Sequence, residues 1–166
     1  MKNHRLLKGA FGFLLTLGLL IFLSISSVSA QEKEMKKEKS LYDRLGGTYA
    51  IATVVDDFIE RLLVNDVLNA NPAIKEARTR VPKAGLKYRV TALVSQVTGG
   101  PEKYSGRSMK DAHKRLNITE KEWAAMRAEF KKSLDKFSVP EKEQNELFAI
   151  VESTKKDIVV PSAATK

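Results

Sequence analysis

His113 is the residue best suited to chemistry in this sequence. The chain contains two histidines, His4 and His113, and no cysteine. In a helix that begins near Met109, His113 shares a face with Met109, Ala112 and Leu116, which predicts an imidazole directed towards the interior. A buried neutral imidazole needs a carbonyl for its N–H and can offer its lone pair to a metal. His113 is therefore a candidate metal or haem ligand, and a core histidine bonded to a carbonyl is the alternative.

The composition restricts the kind of metal site that the chain can build. Without cysteine there is no thiolate ligand and no disulfide. Zinc sites need several ligands, so one histidine beyond the first 30 residues does not favour zinc. A single imidazole is sufficient for haem iron. From the residues alone, a haem ligand and a metal-free core histidine both remain open.

The first 30 residues are predicted to be a secretory signal peptide. Lys2, Arg5 and Lys8 precede an apolar run over residues 11–23, and small residues end at Ala30. The run is shorter than the roughly 20 residues that a membrane span needs. We therefore expect an exported protein, periplasmic or secreted, with no stable membrane span after processing. A leader that is not cleaved would instead anchor the protein to a membrane.

The rest of the chain is predicted to be one domain with short flanking segments. Residues 31–39 alternate Glu and Lys and are typical of a charged linker, residues 40–160 of the domain, and residues 161–166 of a disordered tail. The net charge is +9, but basic and acidic residues are interleaved along the chain. No basic stripe with interleaved aromatic residues is present, so nucleic-acid binding is not expected.

Apolar residues at helical spacing predict an all-α domain. A short first helix should end at Gly46-Gly47, where glycines permit a sharp change of direction. A long amphipathic helix should follow, with Thr48 as its N-cap. The pattern is interrupted over residues 65–80 and resumes in a helix that ends at Gly99.

The second half of the domain contains two helix-start signals. Thr119 and Glu122 have the spacing of a capping box, and Ser138 with Glu141 repeats it. The last helix should extend to Ile158. We expect the two final helices to form an antiparallel pair.

Five short motifs occur in an order that is typical of a known family. They are LYDRLGG at 41–47, VVDDF at 54–58, GGP at 99–101, YSG at 104–106 and HKRLNIT at 113–119. From about Ser40 to Val159 the sequence resembles the truncated globins, specifically their first group. The resemblance implies a truncated globin fold, which is a two-over-two helical sandwich. It also implies haem b, iron protoporphyrin IX, held through His113.

The resemblance assigns further positions to the haem site. Those on the side away from His113 are Phe58, Ile59, Leu86, Val90 and Leu93, and those on the His113 side or lining the cavity are Met109, Ile118 and Met126. Arg89 stands where the family often has a basic residue that reaches a haem propionate. The alternative for Arg89 is a solvated surface arginine, and the alternative for Met126 is a core methionine.

The sequence departs from its relatives at two places. The best-known members have tyrosine at the position of Ile59 and glutamine at that of Val90, where they hydrogen-bond bound oxygen. Apolar residues there predict faster oxygen release and easier autoxidation, unless Tyr88 or the 65–80 segment turns inward. Residues 68–74 also lack the phenylalanine that globins usually place against the haem, and Leu68 or Ile74 would have to replace it.

The resemblance implies reversible binding of oxygen or another diatomic gas, such as NO or CO. An electron donor that the sequence does not identify would keep the iron reduced. One alternative is nitric-oxide dioxygenation or a peroxidase-like reaction, which usually requires polar groups beside the gas. The other is a haem-free binding module with a globin fold. We expect gas binding rather than an enzyme.

Overall fold

The computed structural model describes residues 38–161. The predicted signal peptide, most of the predicted linker and residues 162–166 lie outside this range. Across residues 38–161 the only β-type pairing is an isolated bridge between Ile118 and Val159. No helix in the described part of the chain has the length and apolar character to cross a membrane. The helices are α1 (Leu41–Arg44), α2 (Gly47–Val64), α3 (Asp66–Asn69), α4 (Pro72–Arg80), α5 (Lys83–Val97), α6 (Met109–His113), α7 (Glu120–Lys136), α8 (Glu141–Ser153) and α9 (Lys155–Ile158).

Two antiparallel helix pairs form the body of the fold. In the first pair, the Nζ atoms of Lys83 and Lys87 on α5 lie 2.9 and 2.5 Å from Glu60 Oε1 on α2. In the second pair, the rings of Phe130 on α7 and Phe148 on α8 have centroids 5.3 Å apart. The first pair rests on the second through α2 and α7. The all-α, two-over-two truncated globin fold that the sequence predicts is confirmed.

The apolar core consists of two clusters that share side chains. One is formed by Leu41, Phe130, Leu134 and Leu147. The other lies along α2 and contains Ile51, Val55 and Ile59. Leu45, Phe58 and Val94 pack against both clusters, and the Phe58 ring lies 5.1 Å from that of Phe130. Phe58 therefore connects the two helix pairs through its contact with Phe130.

One predicted helix end and one predicted helix start are correct, and two predicted N-caps are wrong. The α1 turn ends at Gly46 and Gly47, with φ of 91° and 78°, and the capping box of Thr119 is present at the start of α7. The long helix α2, however, begins at Gly47 with Gly46 as its N-cap, so Thr48 lies inside the first turn. Ser138 does not cap α8, because it adopts a φ of 53° and Pro140 takes the N-cap position.

Two predicted helices are shorter than expected. The helix that carries His113 ends at that residue, so Leu116 lies in the turn beyond it. The last helix divides at Thr154, and the short α9 covers the stretch up to Ile158. The carbonyl oxygen of Ile118 accepts a hydrogen bond of 2.8 Å from Val160 N just after α9, which joins this end of the chain to the turn after α6.

The segment that interrupts the sequence pattern contains two short helices. Asn65 caps α3 by accepting from Leu68 N, and Asn71 caps α4 by accepting from Ala73 N and Ile74 N. Arg78 on α4 donates to Leu62 O at 2.7 Å and to Leu63 O at 3.3 Å. These carbonyls belong to the last turn of α2, where Leu62 O also accepts from Asn65 N at 3.4 Å and Leu63 O from Asn69 Nδ2 at 3.2 Å. The segment over residues 65–80 buries few apolar side chains, so polar contacts of this kind stabilise its position.

Candidate functional site

The imidazole of His113 is half-buried and has one defined hydrogen bond. Its Nδ1 lies 2.8 Å from the carbonyl oxygen of Met109 on the preceding turn of α6. A carbonyl oxygen can only accept, so Nδ1 must carry the proton. The lone pair of a neutral imidazole then lies on Nε2. This is the arrangement by which histidine ligands are oriented towards a metal.

The electrostatic surroundings favour the neutral form of His113. Burial lowers the pKa of the imidazole below its ordinary value of 6.5. The bond to the Met109 carbonyl acts in the opposite direction, and the positive charge of Arg107 lowers the pKa further. Because the net shift is downward, Nε2 is unprotonated at pH 7. Across residues 38–161, no three His, Cys, Asp or Glu side chains come together as a metal-ion site.

A polar network fixes the loop that leads into α6. The carboxylate of Glu102 accepts hydrogen bonds from Thr48 on α2 and from Ser95 on α5. The hydroxyl of Tyr42 lies 2.8 Å from Thr48 Oγ1 and extends the network to α1. Further along the loop, Tyr104 donates its hydroxyl proton to the carbonyl oxygen of Arg107 at 2.8 Å. The first part of this loop is thereby joined to three helices.

A second polar network fixes the turn that follows α6. Asn71 Nδ2 donates to the carbonyl oxygen of Leu116 at 2.9 Å and to Glu122 Oε1 at 2.7 Å. The other carboxylate oxygen of Glu122 accepts from Thr119 N at 2.6 Å and from Thr119 Oγ1 at 2.7 Å. Asn71 and Glu122 are 8% exposed, so both partners of this bridge are buried. The turn after His113 is thus bonded to α4 and α7.

Four of the residues assigned to the far side of the haem come together in the structure. Ile59 is 2% exposed and belongs to the apolar cluster along α2, and Phe58, Leu86 and Val90 pack against that cluster. All three of these are half-buried. They form one apolar surface between α2 and α5.

The other assigned residues occupy several elements. Leu93 on α5 and Met126 on α7 are half-buried, and so is Met109, whose carbonyl accepts from His113. Ile118 is 8% exposed in the turn before α7. Arg89 is exposed and makes no hydrogen bond or ion pair within residues 38–161. In this structure Arg89 is a solvated arginine on α5.

Tyr88 and the 65–80 segment do not add a tyrosine or another aromatic ring to the apolar surface. Tyr88 is 72% exposed and therefore points away from the interior. Leu68 is 6% exposed and Ile74 is half-buried, so both contribute apolar contacts where the sequence has no aromatic residue. The buried polar group of this segment is Asn71, which is already bonded to Leu116 and Glu122.

The residues present fit a haem in their chemistry. A neutral imidazole with an unprotonated Nε2 is one of the ligands that haem iron takes from proteins. Half-buried apolar side chains on α2, α5, α6 and α7 are suited to the faces of a porphyrin, which is large, flat and apolar. Several of these side chains are only partly covered by other protein atoms. They are Phe58, Leu86, Val90, Leu93, Met109 and Met126.

Sequence reasoning found the Thr119–Glu122 capping box but missed the long-range contacts of the two polar networks around α6. Asn71 precedes a proline at a helix start, which is a recognisable N-cap signal. Its bonds to Leu116 and Glu122 join residues that are 45 and 51 positions apart, and no local pattern encodes such contacts. The same applies to Glu102 and Thr48, which are 54 positions apart.

Comparisons with known proteins identify the family. A family model described as bacterial-like globin matches residues 40–160. A group 1 truncated hemoglobin from Synechocystis is 39% identical over 77 residues, which is 46% of this chain and 57% of that protein. A group 1 truncated hemoglobin from Tetrahymena pyriformis is 26% identical over 125 residues, which is 75% of this chain and 98% of that protein.

Solved structures show the same architecture. The ferric form of the Tetrahymena pyriformis truncated hemoglobin aligns with a TM-score of 0.62 and 24% identity, covering 74% of this chain and 100% of that one. The group II truncated hemoglobin of Bacillus anthracis aligns with a TM-score of 0.65 and 20% identity, covering 78% and 98%. Together with the match over residues 40–160, the helical architecture shows that this chain belongs to the bacterial-like globin family, whose members bind haem and diatomic gases.

Proposed function

We propose that this protein binds one haem b through His113 Nε2 and reversibly binds oxygen or another diatomic gas at the iron. The observation that carries the proposal is the 2.8 Å contact between His113 Nδ1 and the Met109 carbonyl oxygen. This bond leaves Nε2 as the free, unprotonated nitrogen of a half-buried ring. It also supports a fixed ring orientation, because α6 holds both the donor and the acceptor.

The remaining contacts to the porphyrin would come from apolar side chains. Bound haem supplies the reduced iron to which a gas molecule binds. On one side of it, Phe58, Ile59, Leu86, Val90 and Leu93 would exclude water. On the other side or at the edge we propose Met109, Ile118 and Met126. Arg89 is exposed and has no partner within residues 38–161, so its guanidinium is available to a haem propionate.

Gas binding is favoured over an enzymatic reaction. Ile59 and Val90 offer no hydrogen bond to a gas molecule, and Tyr88 is 72% exposed. Dioxygenation of nitric oxide and peroxidase chemistry both develop charge that polar groups would have to stabilise. An electron donor is still required to keep the iron ferrous. Nitrate formation from oxygen and nitric oxide at a high rate would support the enzyme instead.

Haem titration of the purified protein tests this proposal. One equivalent of haem should produce a single sharp Soret band, and reduction under CO should shift it. Acidified acetone should extract the haem, because residues 31–166 contain no cysteine for thioether attachment and no second histidine. The matched variant His113→Ala should bind haem more weakly and with a different spectrum. If wild type gives no saturable Soret change, the chain is a haem-free member of its family. If the variant titrates like wild type, His113 is not the ligand.

We also propose export, because the first 30 residues have the order of charge, apolar run and small residues of a signal peptide. Mass spectrometry of the protein from its native host tests this. A mature chain that begins at Gln31 supports periplasmic or secreted protein, and an intact leader supports a membrane anchor.

A further inference from the structure

The turn from Lys114 to Thr119 connects His113 to the long helix α7. The helix that bears His113 has five residues, which is too short to be stable by itself. Its placement must therefore come from contacts at its ends. At the C-terminal end of α6, the carbonyl oxygen of His113 accepts a hydrogen bond from Leu116 N at 2.8 Å. Leu116 is therefore bonded directly to the histidine backbone.

The backbone carbonyl of Leu116 is hydrogen-bonded by a residue outside the turn. This carbonyl oxygen accepts from Asn71 Nδ2 at 2.9 Å. The same nitrogen also donates to Glu122 Oε1 at 2.7 Å, and Glu122 caps α7 through Thr119. Hydrogen bonds thus connect Asn71, at the start of α4, to Leu116, whose N–H bonds the carbonyl oxygen of His113.

The charge state of Glu122 keeps this bridge intact at neutral pH. Burial by itself would raise the pKa of the Glu122 carboxyl group. Hydrogen bonds from Thr119 and Asn71 outweigh burial, so the pKa lies below its ordinary value of 4.5. An ionised carboxylate can accept from Asn71 and Thr119 at the same time.

We propose that Asn71, supported by Glu122, is a positioning residue that sets the orientation of the His113 imidazole towards the haem iron. This inference rests on the proposed function, in which His113 is the iron ligand. Asn71 acts through the Leu116 carbonyl and does not touch the imidazole. Loss of its Nδ2 donor would free the turn over residues 114–119 and let α6 tilt.

One substitution at Asn71 removes the Nδ2 donor and keeps the side-chain cap of α4. Asn71→Asp retains the oxygen that accepts from Ala73 N and Ile74 N. It loses the N–H groups and places a carboxylate against Glu122. In the double variant Asn71→Asp/Glu122→Gln, the glutamine amide can donate to the aspartate, which restores a bond between the two positions. The Leu116 carbonyl still lacks its donor in that variant.

Asn65 provides a matched control within the same domain. It caps α3 by accepting from Leu68 N, and its Nδ2 donates to Glu129 Oε1 on α7 at 3.0 Å. Glu129 is 9% exposed, so this is also a bridge from a cap asparagine to a largely buried glutamate of α7. Neither hydrogen bond of Asn65 involves residues 114–119. Asn65→Asp therefore breaks the same type of bridge without changing the His113 turn.

The experiment compares the four proteins by resonance Raman of the ferrous form, by haem transfer to an excess of apomyoglobin, and by urea unfolding. In Asn71→Asp we expect a shifted iron–histidine stretching frequency and haem loss about 10- to 100-fold faster than in wild type. The double variant should regain stability against urea but keep the shifted frequency. Asn65→Asp should lose stability with an unchanged frequency.

Other results would overturn the positioning role. One is an unchanged frequency and haem-loss rate in Asn71→Asp, and another is an equal shift in Asn65→Asp, which would indicate general loosening. Recovery of the wild-type frequency in the double variant would also contradict a route through Leu116. Amide hydrogen exchange of the haem-free proteins separates this inference from the proposed function. Residues 114–119 should exchange faster than in wild type in Asn71→Asp and in the double variant, but not in Asn65→Asp, even if wild type proves to bind no haem.

Discussion

The Nδ1 atom of His113 lies 2.8 Å from the carbonyl oxygen of Met109, one helical turn earlier. Because the acceptor is a backbone carbonyl, this bond selects one tautomer of the imidazole. Burial and the charge of Arg107 both lower the pKa of the ring below 6.5, against the raising effect of the Met109 bond. We predict that nitrogen-15 NMR of the haem-free protein at pH 7 shows a protonated Nδ1 and an unprotonated Nε2. A protonated Nε2 at that pH would contradict this tautomer and the ring orientation that follows from it.

An apolar surface beside the gas should speed its release. Val90 on α5 is half-buried and packs against the α2 cluster that contains Ile59. A hydrogen bond to the gas contributes about 1 kcal/mol, and somewhat more with partial charge, so Val90→Gln should slow oxygen release roughly five- to tenfold. Stopped-flow displacement of oxygen by CO measures the rate. The control is Tyr88→Phe, because Tyr88 lies on the same helix and is 72% exposed. This variant should leave the oxygen release rate unchanged. A wild-type rate as slow as that of the glutamine variant would count against an apolar site.

Asp57 should make the stability of the haem-free protein depend on acid pH. Burial tends to raise the pKa of this carboxyl group, but hydrogen bonds from Lys136, Arg61 and Ser133 lower it from 3.8 to about 2. A depressed folded-state pKa gives stability that is present above about pH 4 and is lost as the pH falls towards 2. We expect Asp57→Asn to cost about 1–2 kcal/mol of unfolding free energy at pH 7 and about half of that at pH 3.

Urea unfolding at the two pH values measures the effect of Asp57. The neighbouring Asp56→Asn is the control, because Asp56 has a 61% exposed side chain and forms a surface pair with Lys87. Its loss should change stability by less than about 1 kcal/mol. A pH-independent deficit in Asp57→Asn would show that its ion pairs are not the cause.

Two glycines should respond to alanine in opposite ways. A Cβ atom at Gly100 would overlap with Ser95 Oγ and with the ring of Tyr42, whereas a Cβ at Gly85 meets nothing within 4 Å. Gly100→Ala should therefore lower the unfolding free energy by about 1–3 kcal/mol. Gly85→Ala, within α5, should raise it by up to about 1 kcal/mol because alanine favours the helix. Thermal unfolding of both variants checks the signs, and a destabilised Gly85→Ala would contradict the packing around α5.

Long helices were predictable because each has a repeating apolar face. The spacing along α2 places Ile51, Val55 and Ile59 on one side, and all three are buried. Thr119 and Glu122 were also predictable, because both halves of a capping box lie within one turn. The similar signal at Ser138 failed, since Ser138 adopts a positive φ and Pro140 takes the cap position. A local pattern cannot report which of these conformations the packing selects.

Short elements were predicted poorly because distant partners stabilise them. α4 is held by Arg78, which bonds carbonyls of α2, and by the bridge from Asn71 to Glu122. Neither contact follows from local periodicity. The inward direction of His113 followed from its place on an apolar helix face, and the ring is half-buried. Its role as the iron ligand, the positions assigned to the haem and the cleavage of the leader stay predictions.

Chemical rescue tests the iron ligand most directly. His113→Gly removes the imidazole side chain and leaves a space beside α6. Added imidazole can enter this space and bind the iron in place of the histidine. We predict that ferrous His113→Gly lacks the wild-type iron–histidine band and that millimolar imidazole restores both the band and the wild-type Soret position. A variant that keeps the wild-type band and Soret position without imidazole would show that the iron takes its ligand from elsewhere in the chain.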